Sequence, residues 1–158
     1  MNIKLKFKNI NDCNGFPKVK VTLGNQVLYM GLVKSEISVD IDNTENCYLD
    51  IEHYGKNPRT DCIVENGTIV KDKNFELDTI IIDNYDIEEL KWQSAYVTED
   101  EEVLEKCLFF GKNGVYHFKF SSPILKWILE TRHQLNNNDP YWLQDYESYV
   151  SACSLLNN

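Results

Sequence analysis

No apolar run among the 158 residues comes near the ~20 that a bilayer-spanning helix needs, so no such helix is expected. Met1 to Lys8 alternates Lys with Ile, Leu and Phe, and holds neither an apolar signal core nor a small-residue cleavage site. The expectation is a chain made and kept in a cytoplasm, at least until any later export by lysis. Cysteine is sparse and scattered at Cys13, Cys47, Cys62, Cys107 and Cys153. No CxxC pair occurs, which excludes a zinc knuckle and a thioredoxin-type motif. In a reducing compartment these residues read as small apolar side chains. GxGxxG, the P-loop, HExxH and the GxSxG elbow are all missing. The three histidines, His53, His117 and His133, show no metal-site spacing. No internal repeat and no low-complexity tract is present. No enzyme and no cofactor is expected.

What is present is a pleated pattern. The hydrophobic share of 42% and the charged share of 26% are those of a globular chain with one core. Ile3, Leu5 and Phe7 alternate with Lys4, Lys6 and Lys8; Val19, Val21 and Leu23 alternate with Lys18, Lys20 and Thr22. Ile37, Val39 and Ile41, and then Cys47, Leu49 and Ile51, repeat the pattern. Period two with one apolar side describes strands of an antiparallel sheet with one face buried. Gly24-Asn25, Asn66-Gly67 and Asn113-Gly114 each separate two such runs, as tight hairpin turns do. The run Asp78–Asp83 reads as a strand covered on both faces, as between packed sheets. Val97–Lys106, rich in Glu and Asp, reads as a solvated loop or a short acidic helix.

The period changes after Phe120. Ser122-Pro123 makes a helix start, followed by Ile124, Leu125, Ile128 and Leu129 at helical spacing to about His133. Gln134–Asn138 is a polar linker, and Asp139-Pro140 opens a second helix whose stripe includes Trp142, Tyr146, Tyr149, Val150, Cys153 and Leu156. The expected fold is therefore mainly β: an antiparallel, jelly-roll-like β-sandwich with one or two C-terminal α-helices. Its expected parts are a sandwich over 1–120, a helix packed on it over 121–135, and an amphipathic helix or anchor segment over 139–158. Isolated helices of that length are marginal in water, so the stripe docks on its own sandwich or on another molecule. In the second case Trp142, Tyr146, Tyr149 and Val150 are the partner-binding residues.

Charge is uneven. The net value is −9, yet residues 1–34 sum to +5 and the rest to −14. That total disfavours direct nucleic-acid binding. The lysines either blunt exposed strands or suit contact between copies. Two clusters merit weighing. His53, Tyr54, Lys56, Arg59 and Asp61 fall in one loop, where scaffolds place ligand-binding groups; the bland alternative is a polar connection. Asp40, Asp42 and Asn43 end one strand while Asp83, Asp86 and Glu88 follow another, an oxygen set that could take Ca2+ only if both ends converge.

The segment LDIEHYGKNPRTDCIVENGTIVKDKNFELDTIIIDNYDIEEL, Leu49 to Leu90, resembles small β-sandwich domains of tailed-bacteriophage particles, which are similar in fold to carbohydrate-binding modules. Leu108-Phe109-Phe110-Gly111 and Phe120-Ser121-Ser122-Pro123, with Trp127 after them, share the likeness, which covers about 3–133. The resemblance implies a non-enzymatic structural or assembly protein of a phage particle: a head, neck or tail decoration, adaptor or fibre-associated subunit. It would reside in the virion, with other virion proteins, copies of itself or host glycans as partners. Two alternatives stand beside it. One is a carbohydrate-binding module using exposed aromatics among Tyr48, Tyr54, Tyr85 and Trp92. The other is a small acidic phage inhibitor of a host defence protein.

Overall fold

The computed structural model describes residues 1–42 and 46–136. In chain order the strands are β1 (Asn2–Asn11), β2 (Lys18–Leu23), β3 (Gln26–Leu32), β4 (Glu36–Asp40), β5 (Asn46–Tyr54), β6 (Cys62–Glu65) and β7 (Thr68–Asp72). They continue as β8 (Asn74–Ile82), β9 (Tyr85–Asp86), β10 (Ala95–Thr98), β11 (Val103–Glu105), β12 (Phe109–Phe110) and β13 (Gly114–Ser121). A 3-10 turn at Glu88–Gln93 precedes β10, and helix α1 (Ile124–Leu135) follows β13. One sheet runs β12-β8-β1-β4, with β9 added to β8; the other runs β11-β10-β13-β5-β2-β3. β6 and β7 form a separate ribbon, and the described pairings are all antiparallel. The architecture is an antiparallel β-sandwich with a C-terminal helix.

The alternation in the sequence explains the core directly. Ile3, Leu5, Val19, Val21, Leu49 and Ile51 are all buried between the sheets, while the lysines beside them face out. Each such aliphatic side chain contributes about 1.5–3 kcal/mol by leaving water. Rings fill the thicker part: Phe75 stacks on Phe110 at 4.6 Å, and Tyr96 meets Phe110 edge-on at 4.9 Å. Trp127 of α1 packs edge-on against Phe118 and Phe120, which seats the helix on one end of the sandwich.

Four local expectations are corrected. Asn113-Gly114 does not close a hairpin: β12 pairs with β8 in one sheet, and β13 with β5 and β10 in the other. The chain changes sheets there, with Phe110 wholly buried in the core. The acidic stretch is not a helix, and only its centre, the exposed residues 99–102, is a loop. β10 and β11 form a hairpin with Val97 opposite Val103, and the Thr98 hydroxyl closes its turn by accepting from the Glu102 N–H at 3.1 Å. β8 is not covered on both faces, since Thr79 and Ile81 are only half-buried while Ile80 and Ile82 are sealed. At α1 the cap position is Pro123 rather than Ser122, and it makes no side-chain cap bond.

Gly114 is required for a reason the turn motif did not suggest. A Cβ there would lie 2.5 Å from the Val97 carbonyl oxygen and 2.8 Å from Thr98 Cα, both backbone atoms of β10. Gly114→Ala is therefore expected to cost about 1–3 kcal/mol by forcing β10 and β13 apart, read as a lower urea midpoint with an unchanged slope.

Candidate functional site

The loop after β5 does gather the expected side chains, but mostly turns them inward. His53 is fully buried, its ring edge-on to Phe75 at 5.0 Å and its Nδ1 3.1 Å from the Lys112 carbonyl oxygen. That carbonyl makes Nδ1 the donor, and Nε2 has no partner among the described residues. Burial, aided by the nearby Lys56 and Lys73 charges and opposed by the Lys112 bond, lowers its pKa to about 4. Asp61 accepts from Lys73 Nζ at 2.7 Å and from the Asn57 N–H at 2.9 Å. The Lys73 hydrogen bond holds its carboxyl below the usual carboxylate range. Lys56 Nζ reaches Asp72 Oδ1 and the Gly111 carbonyl. Both backbone groups of Lys56 are taken by the Asn113 amide, at 2.9 Å each. Tyr54 is half-buried and Arg59 exposed. His53, Lys56 and Asp61 thus turn inward and fasten one end of the sandwich, while Tyr54 and Arg59 keep exposed surface.

The fastening shapes a cavity of about 600 Å³ at that end. Lys56 and Pro58 line it from the loop after β5, and Cys62, Ile69 and Asp72 from the ribbon. Glu99 and Asp100 come from the β10–β11 turn, and Phe109, Gly111, Lys112 and Asn113 from the crossing between sheets. Of the five loop residues singled out in the sequence, Lys56 is the one that lines it. The Phe109 ring is 46% exposed and lies across Gly111, where an added Cβ would sit 2.4 Å from its Cε1. Glu99 accepts from the Asn113 amide at 3.1 Å. Asp100 is held ionised below the usual range by the Thr98 hydroxyl, with Lys112 nearby. Lys112 itself pairs with Glu102 at 2.7 Å. The cavity therefore offers an open aromatic ring, apolar walls and fixed carboxylate acceptors, while its two cations are already engaged.

The other candidates are dispersed. Tyr48 and Tyr54 share the outer face of β5, six residues and about 20 Å apart. Between them stand the Asp50–His117 pair at 2.7 Å and the Lys20–Glu52 pair at 3.3 Å. Tyr85 lies on the other sheet and Trp92 in the 3-10 turn, so the four do not form one row. Of the carboxylates proposed for calcium, Asp40 and Asp83 both come to Asn2, while Asp86 and Glu88 are held elsewhere. Asp83 accepts from the Asn2 backbone N–H and Asp40 from the Asn2 amide, Asp86 caps Glu88, and Glu88 pairs with Arg132. Asn43 lies outside the described residues, and among the described residues no three metal-binding side chains come together. Trp142, Tyr146, Tyr149 and Val150 also lie outside the described residues.

The chain matches no protein-family model and no curated protein sequence. Among solved structures it is similar to the carbohydrate-binding module vCBM60 in complex with galactobiose. The TM-score is 0.50 at 10% identity, over 75% of this chain and 97% of that one. A second vCBM60 structure, from a study of two families of calcium-dependent carbohydrate-binding modules, gives 0.50 at 11% identity over 74% and 88%. The fold is shared with carbohydrate-binding modules. The likeness supports that half of the sequence resemblance and carries nothing about a phage particle.

Sequence reasoning missed the cavity because its walls come from four distant segments. In the sequence Phe109 stands out only within a Leu-Phe-Phe-Gly string, and Glu99 and Asp100 only as bulk charge. The usable signal was an aromatic beside a glycine, followed at once by Lys112-Asn113.

Proposed function

We propose that this domain is a non-catalytic carbohydrate-binding module whose site is the loop-end cavity. The observation that carries the reading is the placement of the exposed Phe109 ring in one cavity with Glu99, Asp100 and Asn113, on a sandwich shared with carbohydrate-binding modules. A sugar ring presents an apolar C–H face and a rim of hydroxyls. Phe109, Pro58 and Ile69 offer surface for the face, and ionised carboxylates accept hydroxyl hydrogens in charge-assisted bonds. The buried Lys56–Asp72 and Lys73–Asp61 pairs hold the surrounding loops in place before the ligand arrives, which lowers the ordering cost of binding.

Phe109→Ala is expected to weaken binding at least about tenfold, while Phe109→Tyr retains it. Affinity electrophoresis against a polysaccharide panel, followed by calorimetry on the best ligand, measures this. Retardation by no polysaccharide, or equal affinity of the wild type and Phe109→Ala, would remove the reading. Loss on Tyr48→Ala with Phe109→Ala unaffected would move the site to the outer face of β5.

A further inference from the structure

The strand β3 stands apart from every other described sheet edge. β9 and β12 have two residues each and β11 has three, β4 carries Glu36 and Asp40, and the four- and five-residue strands β6 and β7 carry Glu65, Lys71 and Asp72. Short or charged edges of this kind resist pairing with another chain. β3 has seven residues, and the ten from Gly24 to Val33 contain no charged side chain and no proline. Its outward face shows Val27 at 53%, Met30 at 61% and Leu32 at 51% exposed, with Phe16 also exposed on the loop before β2.

The hydrogen-bonding groups of this edge can be assigned. Val33 N–H donates to the Pro17 carbonyl at 2.9 Å, and Gly31 and Tyr29 pair with Val19 and Val21. Antiparallel bonding alternates, so the N–H and C=O of Met30 and Leu32 point away from β2. The Tyr29 hydroxyl already donates to the Leu32 carbonyl at 2.6 Å. Both groups of Met30 and the Leu32 N–H are left for a further strand.

We propose that β3 is a dimerisation edge, pairing antiparallel with β3 of a second copy about a two-fold axis at Met30, so that the two six-stranded sheets become one. The occupant follows from charge: a strand without charge can lie against itself with no like-charge contact. The lysines behind it do not oppose the approach. Lys20, behind Met30, pairs with Glu52 at 3.3 Å; Lys34 Nζ sits 5.4 Å from the Tyr29 ring centre; and Lys18, behind Leu32, lies two residues off the axis, so that the two copies' Lys18 are at opposite ends of the seam. Two exposed methionines then meet at the axis, and Leu32 of each copy falls near Leu28 of the other. This contact is independent of the sugar site, because no residue of β3 lines that cavity.

Sedimentation velocity of the full chain over a concentration series tests it. The wild type should show a concentration-dependent monomer–dimer equilibrium. Met30→Lys, which sets two cations across the axis, should raise the dimer dissociation constant at least about tenfold, with a melting temperature unchanged at concentrations where the wild type is monomeric. Met30→Pro, which removes an N–H that β2 does not use, should do the same. Val70→Lys on the ribbon, at a similarly exposed residue, should leave the dimer intact. A monomer at every concentration overturns the proposal. So does a dimer that survives both Met30 variants, or one lost with Val70→Lys alone.

Discussion

Lys73→Met is expected to lower the unfolding free energy by about 3 kcal/mol, the scale for removing one partner of a buried ion pair. The side chains of Lys73 and Asp61 are only 10% and 7% exposed, and their Nζ and Oδ2 atoms are 2.7 Å apart. Without the ammonium group, the Asp61 carboxylate keeps the Asn57 N–H and the Thr60 hydroxyl but no cation. The double variant Lys73→Met with Asp61→Asn removes the charge together with its partner and still allows an acceptor for Asn57. It should recover more than half of the loss. Urea unfolding of the two single variants and the double measures the coupling. Independent, additive losses would show that the pair does not act as a unit.

Acidification is expected to act through His53. Its ordinary value is 6.5 and its folded value about 4, because burial against Phe75 disfavours the imidazolium. Between those values the unfolded chain binds a proton that the folded chain refuses. Stability is then fully present above the unfolded value and falls as pH drops toward the folded one. The loss reaches about 2 kcal/mol near pH 5 and about 3 kcal/mol near pH 4. The upper half of that window precedes the titration of ordinary carboxylates, so it isolates the histidine. His53→Phe keeps a ring against Phe75 and should flatten the slope between about pH 6.5 and 5, while losing the bond to the Lys112 carbonyl. Urea midpoints across that range check it, and an unchanged slope in His53→Phe would contradict the assignment.

The strands were legible where one physical rule governed the whole segment. β1, β2 and β5 alternate because each lies across a sandwich with one dry side, and Gly24-Asn25 and Asn66-Gly67 sit at true two-residue turns. Gly24, Asn66 and Gly67 adopt positive φ there, as such turns demand. Asn113-Gly114 carries the same letters for different reasons. Asn113 bonds the backbone of Lys56, and Gly114 makes room for the Val97 carbonyl. Both causes are tertiary, so a local motif could not separate them. The loop of His53, Lys56 and Asp61 was rightly picked as unusual in composition. Its charges at Lys56 and Asp61 find partners at Asp72 and Lys73, well along the chain, and no local pattern announces that pairing. The cavity was least legible, since Pro58, Ile69, Asp100 and Phe109 meet only after the ribbon and the sheet crossing are in place.

The account stands most directly on where a sugar touches the protein. Backbone amide shifts recorded during titration of the full chain with the best-retained oligosaccharide read this residue by residue. Saturating changes grouped at Lys56, Ile69, Glu99, Asp100 and Phe109 to Asn113 are expected. Changes confined to the outer face of β5, or none with any oligosaccharide, would contradict it.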